Sequence, residues 1–258
     1  MESSEFYRNL RDTLNPVVRA FIPYTVENPE KIPKEGPLII IANHRSDLDP
    51  LLISSVIDKY ISWLAASYDF SIPVIGKMLE NLGMIPVSYE KSAQRQILRD
   101  VKKVLTEKRF LGIFPEGDSY ITENDFSRRL GTFTTGYIRF ALKFKSDILP
   151  IAVIGIKEKK EAWLIPRFIR EMLKMPEHTL DTRYRLSFTE AKLVIGNVIR
   201  IKDFSDMPYI EAEKKILDIS RGQIEKAILN FGEPERRKVK SRQSGTRIRP
   251  DEQRKNQN

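Results

Sequence analysis

The strongest constraint on the fold is an alternation that runs through most of the chain, in which short apolar runs are separated by stretches with apolar residues at helical spacing. The run at 37–42 (PLIIIA) has no polar alternation, so it reads as a strand covered on both faces. Strands alternating with helices make an α/β domain, here with a mixed, largely parallel central sheet flanked by helices. Further strands are expected at 60–66, 84–87, 110–114 and 148–154, and helices at 50–58, 70–82 and 132–145, with Gly83 stopping the second of these helices. Ile97, Val101, Val104 and Leu105 form the apolar stripe of one more helix, opposite Arg99, Lys102 and Lys103. Two strands at 184–188 and 192–201, joined near Glu190, and a long helix at 208–231 close the domain.

The ends read differently. Phe6, Leu10, Leu14, Val17, Val18, Phe21 and Ile22 lie at helical spacing, so residues 1–27 are expected to carry an N-terminal amphipathic helix, seated on the core or in a membrane interface. Segment 157–175 is basic and amphipathic, with Trp163, Phe168, Ile169, Met172 and Leu173, and has the same two readings. Residues 28–234 are assigned to the α/β domain and 235–258 to a basic disordered tail, because apolar residues nearly vanish after Pro234. Of the 44 basic and 35 acidic residues, nine and three respectively fall in that tail. The remaining chain is close to balance, so charge does not call for a specific nucleic-acid partner. No apolar run approaches the roughly 18 residues of a spanning helix, and MESSEFYRNL lacks a signal core. A cytoplasmic protein, soluble or peripheral on the inner face of a membrane, is the expectation.

Chemistry is confined to few residues. With no cysteine there is no catalytic thiol and no thiolate metal site, and the two histidines are too far apart in sequence to suggest a metal cluster. His178 lies in a polar stretch and reads as a surface residue, whereas His44 directly follows the buried strand at 37–42. In open α/β sheets ligands gather at the carboxyl ends of strands. Asp49 precedes Pro50, which favours the first turn of a helix, so Asp49 is expected as the N-cap, within reach of the turn that carries His44. A carboxylate on Nδ1 would leave Nε2 free to take a proton from a hydroxyl; Asp47 is a rival for that place. A second strand end, FLGIFPEG at 110–117, brings Glu116 to a flexible turn at Gly117.

Together the two blocks resemble the glycerolipid acyltransferase family, typified by 1-acylglycerol-3-phosphate (lysophosphatidate) acyltransferases. Asn43-His44-Arg45-Ser46-Asp47-Leu48-Asp49 is similar to its NHxSxxD block and Phe114-Pro115-Glu116-Gly117 to the start of its FPEG-T-R block. Ile72-Pro73-Val74-Ile75-Gly76, Leu149-Pro150-Ile151 and Ile195-Gly196 match further pieces in the same order. The resemblance implies transfer of a fatty acyl group from an acyl thioester, acyl-CoA or acyl carrier protein, to a hydroxyl of a lysolipid at a membrane surface, with no permanently bound cofactor. It implies His44 as general base, Asp49 as its orienting partner, and Ser46, Glu116 and Gly117 as acceptor-holding residues. Two family arginines are missing: Asp118-Ser119 stands where Thr-Arg is usual, and Tyr89 where an arginine closes the preceding strand. Since these arginines meet the acceptor's phosphate, either Arg128, Arg129, Lys91 or Arg95 replaces them, with the Arg128-Arg129 pair favoured, or the acceptor is not a phosphomonoester.

Overall fold

A computed structural model of the chain describes Asp12, Pro16 and residues 18–72, 75–88, 93–117, 130–162, 166–172, 175 and 184–243. Among these residues seven strands form one sheet: β1 (Tyr24–Glu27), β2 (Leu38–Ala42), β3 (Ile61–Ala66), β4 (Ile85–Val87), β5 (Phe110–Ile113), β6 (Asp147–Ala162) and β7 (Tyr184–Ile195). Their order is β1-β7-β6-β2-β5-β3-β4, and every neighbouring pair is parallel except β6–β7. The sheet is therefore mixed and largely parallel, as the alternating pattern implies. The helices are α1 (Asp49–Val56), α2 (Ile75–Asn81), α3 (Gln94–Thr106), α4 (Gly136–Phe144), α5 (Arg167–Met172) and α6 (Tyr209–Gln243).

The unbroken apolar run of β2 follows from its central place. Ile39 and Ile41 join Val101, Val104 and Leu105 of α3, Tyr137 and Ile138 of α4, and Ile216 and Ile224 of α6. Leu38, Ile40 and Ala42 face the opposite layer, with Leu52 and Ile53 of α1 and Ile57. Each such buried side chain contributes about 1.5–3 kcal/mol of transfer free energy, so either face of β2 resists a polar substitution. On the first layer the register of α6 against α4 is set by a buried bond of 2.6 Å between Tyr137 Oη and Ser220 Oγ. Burial pushes the Tyr137 phenol up to about 12, only partly offset by that bond, so the hydroxyl keeps its proton and can donate.

This layering also locates a crevice. β2 and β5 lie side by side, with Ile41 paired to Ile113. The chain leaving β2 enters α1 on one face, and α4, the next described helix after β5, packs on the other. Where continuations of neighbouring parallel strands part to opposite faces, an opening remains between their carboxyl ends.

Several local expectations give way to tertiary contacts. The expected helix at 70–82 is a 3-10 turn (Ser67–Ser71) followed by α2, as Pro73 lacks the donor a continuous helix needs. The helix expected from 132 begins only at Gly136, because the Thr134 N–H (2.8 Å) and Oγ1–H (3.0 Å) donate to the Pro115 carbonyl and hold the preceding residues out of a helix. β6 continues to Ala162, taking in the first six residues of the segment expected to be amphipathic, and among the described residues of that segment α5 is the helical part. Its charged residues are accommodated because residues 157–162 pair with β7, whose own backbone supplies the hydrogen bonds. β7 is one strand rather than two: the expected break near Glu190 is a pair of register irregularities in the β6–β7 ladder, one with the extra residue on β6 between Gly155 and Lys157, the other with it on β7 between Glu190 and Phe188. α6 extends through Gln243, into the segment assigned to the tail. Glu, Arg, Lys and Gln are strong helix formers, which lets a helix run on without an apolar face.

At the N-terminus Val18 and Ile22 are buried while Phe21 is 77% exposed, and Phe6, Leu10, Leu14 and Val17 lie outside the described residues. Trp163 and Leu173 of the basic segment lie outside them too, as do residues 244–258 of the tail.

Candidate active site

The crevice is lined by the two segments that continue β2 and β5. Asn43, fully buried, extends the β2–β6 pairing with its side chain: Nδ2–H donates to the Val153 carbonyl and Oδ1 accepts the Val153 N–H, both at 2.8 Å. This amide stands in for a peptide where the strand ends, and so fixes the direction in which His44 leaves the sheet.

The next six residues wrap around one carboxylate. Asp49 Oδ2 lies 2.8 Å from His44 Nδ1 and accepts the backbone N–H groups of Arg45 (2.6 Å) and Ser46 (2.9 Å). Asp49 is thus the first residue of α1 rather than its cap: Leu48 flanks the helix, and the carboxylate turns back into the loop instead of onto the α1 amides. The reason is that the loop amides precede the helix and reach the carboxylate first, through a turn closed by Asp49 N–H to the Ser46 carbonyl at 3.0 Å. Of the two acids open to His44, Asp49 makes the close contact, while Asp47 is exposed at the turn's surface. Asp49 is fully buried, and its Oδ1 has no hydrogen-bond partner among the described residues. A buried carboxylate of this kind fixes the orientation of the imidazole it contacts.

Aromatic packing fixes the plane of the ring. His44 stacks on Phe114 with centroids 4.1 Å apart, and Phe114 stacks on Trp63 at 4.8 Å. β5 places Phe114 there directly, and Gly112 makes room for Trp63, since a Cβ at 112 would fall within the indole. The imidazole side chain keeps 11% of its surface exposed, so the ring is seated but not sealed.

Glu116 is the second hub. It is buried at 9% exposure, its Oε1 accepts the His44 N–H at 2.8 Å, and its Oε2 accepts the Gly131 N–H at 2.6 Å. Burial holds its carboxyl above the usual carboxylate range, opposed by those two backbone bonds and by the charges of His44 and Arg45. Both oxygens therefore serve the backbone, a role the resemblance did not assign. Gly117 follows with φ +60°, a left-handed conformation open to glycine at little cost. Ser46 is likewise inward, 3% exposed, with Oγ accepting the Leu48 N–H at 3.3 Å. Arg128 and Arg129 lie outside the described residues, as do Lys91, Tyr89, Asp118, Ser119 and His178, and Arg95 is exposed on α3.

Other residues of this constellation carried no readable signal. Arg45 forks onto Glu158 of β6, with its Nη2 at 2.8 and 3.0 Å and its Nε at 3.1 Å, but Glu158 belongs to a KEKKE run in the segment read as amphipathic, with nothing in the sequence tying it to Arg45. Gly131 and Arg221 enter only through the contacts they make. Among the described residues no group of three or more His, Asp or Glu side chains is placed to hold a metal ion.

A model of the Acyltransferase family matches residues 23–154, a little over half of the chain, from the start of β1 into β6. The chain belongs to the Acyltransferase family. Its two blocks at the ends of β2 and β5 both fall within the matched span. Among curated relatives, the 1-acyl-sn-glycerol-3-phosphate acyltransferase of Borreliella burgdorferi is 33% identical over 140 residues, 52% of each chain. That of Helicobacter pylori is 32% identical over 138 residues, 52% of this chain and 56% of the relative. The chain thus spans about half the length of the curated relatives it matches. The crystal structure of the 1-acyl-sn-glycerophosphate (LPA) acyltransferase PlsC from Thermotoga maritima superposes with a TM-score of 0.57 over 85% of this chain and 81% of that one. At 19% identity that likeness is one of fold.

Proposed function

We propose that this acyltransferase moves a fatty acyl group from an acyl thioester, acyl-CoA or acyl carrier protein, to the free hydroxyl of a lysolipid, with 1-acylglycerol-3-phosphate as the leading acceptor. The observation that carries this reading is the contact of 2.8 Å between His44 Nδ1 and buried Asp49, in a ring seated beside the Glu116 turn and open on one side. His44 Nε2 takes the acceptor hydroxyl's proton as the oxygen attacks the thioester carbonyl. A C–O bond forms, the C–S bond breaks, and the proton passes from the imidazolium to the departing thiolate. Asp49 keeps the other nitrogen protonated and balances the charge that the ring gains, with no covalent acyl-enzyme.

A panel of lysolipids incubated with the full chain and either donor tests the acceptor. Phosphatidate formed from 1-acylglycerol-3-phosphate is the expected product, and absence of turnover on every lysolipid contradicts the proposal. A second reading has its own observation, the residues Tyr89 and Asp118-Ser119 in place of the family's arginines. On that reading the acceptor is not a phosphomonoester, and a neutral or phosphodiester lysolipid turns over faster than 1-acylglycerol-3-phosphate.

Such acceptors and products reside in a bilayer, and no helix among the described residues is long and apolar enough to cross one. The proposed location is peripheral, on the inner face of a membrane. Flotation with anionic vesicles checks this: the protein rises with lipid and is released by salt. A protein left wholly in the soluble fraction contradicts it.

A further inference from the structure

The Acyltransferase match ends at residue 154, yet a contact from far beyond it reaches the active site. Arg221, on α6, donates from Nη1 to the Gly131 carbonyl at 2.8 Å. The N–H of the same residue donates to Glu116 Oε2 at 2.6 Å, and Glu116 Oε1 accepts the His44 N–H at 2.8 Å. One unbroken series of hydrogen bonds thus joins the closing helix to the backbone of the residue whose ring is the proposed base. We propose that Arg221 is a positioning residue for the acyl transfer, holding His44 in place through Gly131 and Glu116.

The series is rigid at both ends. At its origin, α6 is locked to α4 by the buried Ser220–Tyr137 bond one residue away and by Ile216 and Ile224 in the core. Arg221 also lies over the Phe133 ring, with Cζ 5.8 Å from the centroid, which limits the directions its guanidinium takes. At its end, the His44 ring is held by Asp49 and Phe114, so a shift of the His44 backbone must tilt the ring against one of them. Gly131 is the weak joint, since a glycine has no side chain to anchor it and depends on its two peptide partners. Without Arg221 the Gly131 amide is less fixed, Glu116 loses a reliable donor, and the placement of the His44 N–H loosens. A displacement of the base by a fraction of an ångström lowers the rate without lowering substrate affinity.

This inference rests on the proposed acyl transfer, and two readouts keep the two separable. In the full chain, Arg221→Met retains most of the side chain's volume, and Arg221→Lys retains a cation able to donate. With 1-acylglycerol-3-phosphate and acyl-CoA, Arg221→Met is expected to lower kcat about tenfold at nearly unchanged KM, and Arg221→Lys to recover most of it. Amide hydrogen exchange needs no turnover: Arg221→Met is expected to speed exchange at Gly131 and His44 about tenfold, leaving Ile39 to Ile41 of β2 unchanged. Wild-type kcat in Arg221→Met, or a fall in kcat that Arg221→Lys does not recover, overturns the inference. Unchanged exchange at the His44 amide, or equal acceleration across β2, also overturns it. An inactive wild type contradicts the proposed reaction, and exchange at His44 then decides whether the hydrogen-bonded series exists.

Discussion

At the scale of single residues, the site economises on acceptors: two buried carboxylates, Asp49 and Glu116, between them bind four backbone amides and one imidazole. Asp49 therefore has a structural and a chemical task on the same oxygen. Asp49→Asn separates them, because an asparagine Oδ1 in that place still accepts the Arg45 and Ser46 N–H groups but carries no charge to balance an imidazolium. The expected outcome is a kcat lower by about 10²-fold or more with little change in KM, measured by product formation at saturating donor and acceptor. Asp49 was legible as a candidate partner of His44, because Asp-Pro at a helix start and a histidine after a buried strand are both locally determined, but local reading left Asp47 as a rival and the choice came from the resemblance. The place of Asp49 inside the helix was not legible, since it depends on which amides reach the carboxylate first. Nor was the backbone-holding role of Glu116, which needs Gly131, a residue fifteen positions on with no sequence signal tying it to the turn.

At the scale of elements, the joint between β2 and β6 carries the site, and Asn43 is what prolongs it. Asn43→Ala leaves the buried N–H and carbonyl of Val153 without partners and is expected to destabilise the fold by about 3 kcal/mol, read from the denaturant midpoint at unchanged m. A cost below about 0.5 kcal/mol would mean that the amide is replaceable and that β6 sets the line of His44 by other means. Elements defined by their own apolar pattern were legible in the sequence: β2 and β5 to within a residue, and α3 through its apolar stripe. Elements shaped by partners were not. The residues before α4 are tied to the Pro115 carbonyl through Thr134, and β6 runs on through charged residues because β7 pairs with them.

At the scale of the whole molecule, the parallel order of β2 and β5 turns two distant blocks into one site: their carboxyl ends are adjacent, and α1 and α4 pack on opposite faces. The α/β class and the pairing of these blocks were legible from the alternation and from the resemblance. Strand order was not, because β5 inserts between β2 and β3, and nothing local in the sequence dictates that insertion. What the fold accomplishes as a whole is to hold one imidazole, braced by a buried acid and a stacked phenylalanine, at the mouth of that crevice. The most direct test is the turnover of the full chain carrying His44→Ala, followed by acylated lipid formed from acyl thioester and lysolipid. The predicted result is a kcat lower by about 10³-fold or more, with the thermal midpoint little changed, and turnover within about tenfold of the wild-type protein would contradict the assignment of His44 as the base.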